Sequence, residues 1–548
     1  MRHGIAVFLL ATAVLAAGEQ IAPPRRLGAG PTERRLTLRQ AVETAIRSNL
    51  DVAIERTNVE DADQAWRGAR GGFDPVVHWQ SLAADSNSPS TSVLDGANGV
   101  VSQRTGGQTL AWHQKTSWNG LAVDAQFGAN RISSANPYVS VSPFYSSLLT
   151  VAVTQPLVRG RAVDAERAMV KIRRIGRSAS AYDLETRAID VASRVEQAYW
   201  DLVAARRSVD VDLEAANLAQ TQLEQNRRMI AAGTLPQVEL SAAEAELQSR
   251  LDDLYRSTGV VTEAEDTLKT LLVRDRQDSL WNEEIVPVDD RAAAPPAVIE
   301  LAEAEAEALS RRPELKQLDA NTEANDVTRQ QNADLLKPQV NLVASYSLAG
   351  LAGHIRPTNP LTDSLTPVYQ RVDQLSAAAG LPVLAAPMFG TLPGSMAGGL
   401  GGSLSSLFGG NYQSAQAGIA LDFTVHNRAA EANLASAAIA GNRLQLMRTR
   451  AEQTIEAQVR DALQALDTAR QRIRAAQAGA LAASDKLSSE TRLFAAGAST
   501  NFLVLTRQNE YSAARRRLVD AETAFWKAVS KYQAAVGTTL KVWGMEVE

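Results

Sequence analysis

Six apolar residues recur at every seventh position from Val195 to Ile230, and the same series returns 264 residues later. The first series is Val195, Leu202, Val209, Ala216, Leu223 and Ile230. The second is Val459, Leu466, Ile473, Ala480, Leu487 and Phe494. A strict period of seven keeps one apolar seam facing a partner helix and imposes a left-handed supercoil. Three residues further on, the seam is small: Ala198, Ala205 and Ala219 in one copy, and Ala462, Ala469, Ala476 and Ala483 in the other. Small side chains there let two helices approach closely.

Both series run into the same turn, Ala231-Ala232-Gly233 and Ala495-Ala496-Gly497. The period of seven then resumes, through Leu240, Leu247, Leu254, Val261 and Leu268, and through Val504, Tyr511, Leu518, Phe525 and Tyr532. Each half therefore reads as an antiparallel helical hairpin. The tips are Gly233-Thr234-Leu235-Pro236 and Gly497-Ala498-Ser499-Thr500. Glycine just past a helix end and proline in the first turn of the next are the expected punctuation.

The duplication extends further back. Leu38, Ala41, Ala45, Ile46 and Val52 match Leu301, Ala304, Ala308, Leu309 and Leu315 at a shift of 263, and Pro75 and Val77 match Pro338 and Val340. Val151, Val153 and Leu157 match Ile419, Leu421 and Val425 at a shift of 268. Each unit is thus a helix, a β region and a helical hairpin. The outgoing helix, over roughly 161–232, would be about 100 Å long at 1.5 Å per residue. No compact globular domain needs such a helix.

The β regions alternate in hydropathy. Val340, Leu342, Ala344 and Tyr346 alternate with Gln339, Asn341, Val343 and Ser345, and strands over 150–157 and 418–425 behave alike. Alternation of this kind is the pattern of a barrel strand, and equally of any half-buried strand. Trp112, Trp118, Phe127, Tyr138, Phe144 and Tyr145 cluster in the first region. They fit a bilayer rim or the core of a small β subdomain. Two or four strands in each half would return the chain to its starting side. That is too few to close a barrel, and an open edge is not tolerated in lipid, so several copies would have to share one barrel. The Gly-rich run Gly398-Gly399-Leu400-Gly401-Gly402 lacks the preceding strand and following Lys-Ser/Thr of a phosphate loop and reads as loop.

The N-terminus reads as an export signal. Met1-Arg2-His3 is basic, Ile5 to Ala17 is apolar, and Ala16-Ala17-Gly18 is small. That core is short for a membrane span, and a short N-terminal anchor is the alternative. No later apolar run reaches 18 residues. The expected division is a signal peptide over 1–18, an extended leader over 19–35, a first repeat over 36–280 and a linker over 281–299. A second repeat over 300–540 holds a Gly-rich loop at 349–412, and a tail follows over 541–548.

In this order the segments resemble the TolC family of outer-membrane ducts. The carrying residues are Leu38-Arg39-Gln40-Ala41-Val42 with Asn49-Leu50, the Gln155-Pro156-Leu157 junction, and the two glycine tips with their heptads. The resemblance implies an α+β membrane protein of long antiparallel coiled-coil helices, whose small β regions join in a shared trimeric barrel of twelve strands in outer-membrane lipid. It implies a homotrimer that receives substrate from an inner-membrane pump through a periplasmic adaptor. The adaptor contacts would be Gly233, Thr234, Leu235, Gly497, Ala498 and Ser499. At the entrance, the family's acidic ring is replaced by Leu503 and Thr506, and an arginine of its closing network by Ser499. Its acidic partner persists as Glu239 and an aromatic as Phe494. Leu503 would then form an apolar constriction, and Arg492, Arg507 and Glu510 are candidates for a different polar lock.

Two other classes are weighed against a channel. For an enzyme, His3, His78, His113, His354 and His426 are scattered, and no G-x-S-x-G or H-E-x-x-H occurs. Asp252-Asp253 and Asp289-Asp290 read as solvated acids. There is no cysteine, so thiolate metal sites and disulfides are excluded. No cofactor is expected, and a net charge of −5 gives no basic face for nucleic acid. A coiled-coil scaffold would explain the heptads but not paired strand regions at matching places.

Overall fold

The computed structural model describes residues 21–22, 24–26, 30, 32–91, 99–289, 300–356, 360–384 and 393–546. The expected signal peptide lies outside these residues, as do parts of the leader, the linker and the second loop. The elements in chain order are β1 (Glu33–Leu36), α1 (Leu38–Ser48), α2 (Leu50–Arg70), β2 (Val76–Pro89), β3 (Val100–Lys115), β4 (Ala122–Ser134), β5 (Val141–Pro156), α3 (Ala165–Ala231) and α4 (Val238–Leu272). Then follow β6 (Glu284–Pro287), α5 (Leu301–Arg311), α6 (Pro313–Leu335), β7 (Gln339–Ile355), α7 (Pro360–Ala378), α8 (Leu400–Phe408), β8 (Tyr412–Asp422), α9 (Arg428–Ala495), α10 (Asn501–Val536) and α11 (Thr539–Trp543). The duplicated order of helix, strands and helical hairpin is the one read from the sequence, except that each incoming helix is broken in two, at Asn49 and at Arg312. No helix among the described residues is long and apolar enough to cross a membrane.

The chain forms two compact units, one within 62–176 and 322–443, the other within 1–61, 177–321 and 444–548. The first holds one antiparallel sheet of order β2-β3-β4-β5-β7-β8. The first half contributes four strands and the second two, so the duplication is unequal here. Alternation gives the sheet two faces. One carries Val77, Trp79, Leu110, Trp112, Phe127, Leu149, Val151, Tyr346 and Ile419, which the registers set side by side. The other carries His113 with Asp124, whose Nδ1 and Oδ1 lie 2.5 Å apart, and Thr150 with Ser347 at 3.1 Å. Further along the apolar face an Arg104–Asp85 ion pair at 2.9 Å marks where apolar residues give way.

The Gly-rich region is not simply loop. β7 runs on through Ile355, α7 follows, and Gly399 is the N-cap residue of α8, which packs on β7 and β5. The small residues that made the stretch look structureless are what permit this packing. The Ser147 hydroxyl donates to the Ser403 carbonyl at 3.1 Å, and the Ser403 hydroxyl, 2.8 Å from that of Ser147, donates to the Gly350 carbonyl at 3.0 Å. A Cβ on Gly350 would stand 2.0 Å from the Ser403 carbonyl oxygen, so only glycine admits the helix.

In the second unit, most residues of both heptad seams are buried. Val195, Leu202, Leu254, Leu268, Val459 and Val504 are each nearly or fully inaccessible. Antiparallel ties join α3 to α10 in order: Ser193–Ser530 at 3.2 Å, Asp201–Lys527 at 2.8 Å, Arg207–Glu522 at 2.6 Å and Asp212–Arg516 at 2.8 Å. The helix of one repeat thus packs along the returning helix of the other.

The end of the leader and the start of the linker each form a short strand. β1 pairs in parallel with β6, because Arg26 and the Glu265 and Glu284 carboxylates anchor both strands to α4. Nor is Asp289 merely solvated. It caps α1 by accepting from Leu38 N at 2.5 Å and from the Tyr199 hydroxyl at 3.1 Å. Asp253 likewise pairs with Arg250 and Arg516, each at 3.3 Å.

Glu196 is 3% exposed, and the Trp543 indole donates to it at 2.5 Å. Burial pushes this carboxyl above its ordinary range, partly offset by Ser530 and Trp543. A carboxyl with a raised folded pKa stabilises the fold in acid and loses that contribution as pH rises through the folded value. Glu196→Gln keeps the acceptor and removes the charge. We expect it to raise the melting temperature at neutral pH and to leave it unchanged in acid, as read by far-UV circular dichroism.

Candidate functional site

The two hairpin tips have one backbone solution. Gly233 and Gly497 both sit at φ +74°, the left-handed region that glycine enters without a Cβ penalty. In the first tip Thr234 N donates to Met229 O at 2.9 Å and Gly233 N to Ile230 O at 2.9 Å. In the second, Ala498 N donates to Leu493 O at 2.9 Å and Gly497 N to Phe494 O at 3.0 Å. This paired arrangement satisfies the last helix carbonyls and stops the helix sharply. The restarts differ. Thr500 caps α10 by accepting from Leu503 N, whereas Gln237 offers α4 no side-chain cap.

Gly233, Thr234, Gly497 and Ala498 are exposed, while Leu235 and Ser499 are half-buried. The six expected contact residues therefore form two small exposed knobs with nothing bulky above the glycines, since a Cβ on either would meet no atom within 4 Å.

Around the knobs, the expected entrance residues separate into two groups. Glu239 accepts from Asn501 Nδ2 at 2.9 Å, and Asn501 Oδ1 accepts from Gln222 Nε2 at 3.0 Å. Gln222 also donates to Asn226 Oδ1 at 2.9 Å. Asn501, Gln222 and Asn226 are 3%, 4% and 0% exposed, so a buried amide cluster ties one hairpin to the other. Asn226 Nδ2 has no acceptor among the described residues.

The second group stays within the second hairpin. Arg507 donates to both Glu510 oxygens at 2.9 Å and lies 3.8 Å from Glu490, which also accepts from the Ser499 hydroxyl. Arg492 is not part of this pairing and donates to Ser489 at 3.3 Å. Of the candidate lock residues Arg492, Arg507 and Glu510, the structure brings the second and third together, with the Glu490 carboxylate as a further neighbour of Arg507. Phe494 is 4% exposed and belongs to the packing. Leu503 is 37% exposed, its neighbour Phe502 72%, and Thr506 donates back to the Phe502 carbonyl at 2.8 Å.

The amide cluster was not anticipated, yet a signal for it exists. Counting on by sevens from Ala198 and Ala205 gives Asp212, Ala219 and Asn226, so the small seam is twice broken by a polar residue. Both breaks are buried and face the other hairpin's helices: Asp212 takes Arg516, and Asn226 joins the cluster of Asn501. A polar residue in a coiled-coil seam fixes register at a cost in stability. No grouping of His, Cys, Asp or Glu among the described residues has the geometry of a metal site.

The model of the outer membrane efflux protein family matches residues 117–273 and 369–538, more than half of the chain. Among solved structures, the chain is similar to CusC, described for folding and transmembrane channel formation, at 15% identity over 91% of each chain and a TM-score of 0.60. It is similar to the Campylobacter jejuni CmeC outer membrane channel at 14% identity, covering 91% of this chain and 85% of that one, with a TM-score of 0.60. The Vibrio cholerae outer membrane protein VceC is similar at 14% identity over 91% of this chain and 96% of its own, with a TM-score of 0.59. A sequence comparison with curated proteins gives no match.

Proposed function

Because the chain belongs to the outer membrane efflux protein family, we propose that three copies form a passive tunnel that exports substrate delivered by an inner-membrane pump through a periplasmic adaptor. The observation that carries this reading is the two-faced sheet. Its apolar face suits lipid, and its polar face, with His113, Asp124, Thr150 and Ser347, suits an aqueous bore. Trp79, Trp112 and Trp118 lie toward the end where strands join helices, and Tyr138 and Tyr145 toward the other, as the two aromatic girdles of a barrel would. The helices then lie in the periplasm. A polar bore imposes little choice of substrate, so selection falls to the pump.

Purified protein in planar bilayers tests the reading. Discrete conductance steps are expected, and their absence would leave only a scaffold.

The exposed knobs Gly233-Thr234-Leu235 and Gly497-Ala498-Ser499 are the surface an adaptor would grip, since a tightly capped turn presents backbone at little entropic cost. Leu503 is the constriction. An apolar ring excludes water and ions by dewetting, and a carboxylate abolishes that barrier. Leu503→Asp is therefore expected to raise single-channel conductance and shift the reversal potential toward cations. If both stay at the parent values, Leu503 is not at the narrowest point.

A further inference from the structure

Among the described residues, the six-stranded sheet has two free edges. β2 is paired along one side to β3 from Val76 to Pro89, and β8 to β7 from Tyr412 to Asp422. Every residue of both strands is exposed. In an antiparallel ladder, alternate residues of an edge strand aim both N–H and C=O outward. In hydrocarbon each such unpaired group costs several kcal/mol. A 14-residue edge cannot remain open there.

We propose that β8 of one copy pairs with β2 of the next, so that each copy gives all six strands and three copies close an eighteen-stranded barrel. The proposal rests on the trimeric reading above and departs from the twelve strands that the family resemblance implies.

Strand direction permits the join. Five antiparallel pairings separate β2 from β8, so the two run in opposite directions and the new pairing is antiparallel like the rest. Joining one edge to the opposite edge of a neighbour is a head-to-tail contact, which closes as a ring.

The stagger permits it as well. The line of paired residues through Val76 passes His113, Asp124, Ala152, Ser345 and Gln416. On β8 that point lies six residues from the helix-side end at Asp422, whereas on β2 it is the helix-side end itself. Six residues rise about 20 Å and five strand spacings span about 24 Å. The slope is about 40°, within the tilt that closed barrels require.

The two faces also stay in phase to both edges. Val77 and Trp79 share the apolar face with Ile419 and Leu421, and Val76 shares the polar face with Gln416. A one-residue slip would turn a whole strand over. The offset per copy must therefore be even, which sets Gln416 opposite Leu82 or Ala84 of the next copy. A twelve-stranded alternative needs β3 to leave β4 and gives up 13 paired residues. Because barrel diameter grows roughly linearly with strand number, the proposed bore is about 1.5 times as wide as that of twelve strands.

The chain has no cysteine, so an introduced pair reports alone. Full-length variants are oxidised in outer membranes and run on non-reducing gels. Gln416→Cys with Leu82→Cys or Ala84→Cys is expected to give copy-to-copy cross-links up to a covalent trimer. Gln416→Cys with Gly128→Cys or Asn130→Cys, which would meet in a twelve-stranded barrel, is expected to give none. The reverse pattern in a conducting trimer overturns the eighteen-stranded barrel and leaves the channel reading standing. A conducting trimer in which neither set cross-links also overturns it. An unmodified chain that neither trimerises nor conducts removes the reading underneath.

Discussion

Glu265→Leu lowers the stability of the helical unit by about 3–5 kcal/mol, the usual cost of removing one partner of a buried ion pair. Glu265 and Lys269 have side chains only 3% and 2% exposed, and their charged atoms lie 2.9 Å apart. Glu265 also accepts from Arg26 at 2.5 Å and from the backbone N of Ile285 at 3.1 Å. Among the described residues, deleting the carboxylate leaves the Lys269 ammonium with only the Trp281 carbonyl at 3.2 Å. It also releases the β6 backbone that Glu265 pins to α4. The neighbouring Glu284 cannot compensate, since it is already engaged. Burial pushes its carboxyl up, but Arg206 and Arg26 outweigh this and hold it below the usual range. Denaturant titration followed by far-UV circular dichroism measures the loss. Glu265→Leu combined with Lys269→Met should recover most of it, because a buried pair replaced by apolar residues of similar volume is often neutral. A loss under about 1 kcal/mol is what an exposed ion pair would give and would contradict the burial of this one.

Asn501→Leu is the variant expected to change gating most. It removes the bonds to Glu239 and Gln222 that tie one hairpin to the other, at nearly constant volume. Leaving buried polar groups unpaired costs about 1–3 kcal/mol. Charged to the closed arrangement, that shifts the closed-to-open ratio by about 5- to 150-fold. Open probability in planar bilayers reads this directly. Asn501→Asp adds a sharper test, since it sets a second carboxylate against Glu239. It should open the tips at neutral pH. An open probability unchanged in both variants would make the cluster a packing feature.

The helical part of this fold was legible because its signals are local. The series from Val195 and Val459, and the glycines at 233 and 497, each state a periodicity or a backbone need that neighbours in sequence reveal. The entrance was only half legible. Glu239, Arg507 and Glu510 were named from the sequence, but Glu490 beside Arg507 and Asn501 beside Glu239 were not. Those partners lie on other helices or other turns, and the choice among several charged neighbours depends on rotation about each helix axis. The run from Gly398 to Gly402 misled for a related reason. Its small residues look like loop until β7 offers Gly350 as the surface on which α8 can close.

By itself, the sequence determined a duplicated chain of long, capped, antiparallel helices with alternating strands between them, because heptads, caps and alternation act within a few residues. Only the tertiary structure decided that, among the described residues, four strands of the first half and two of the second form one two-faced sheet with open edges at β2 and β8, and that a buried amide cluster joins the hairpins. Those features depend on pairings between residues about ten to nearly three hundred positions apart. Hydrogen-bond register and packing select such pairings, and no local pattern carries them.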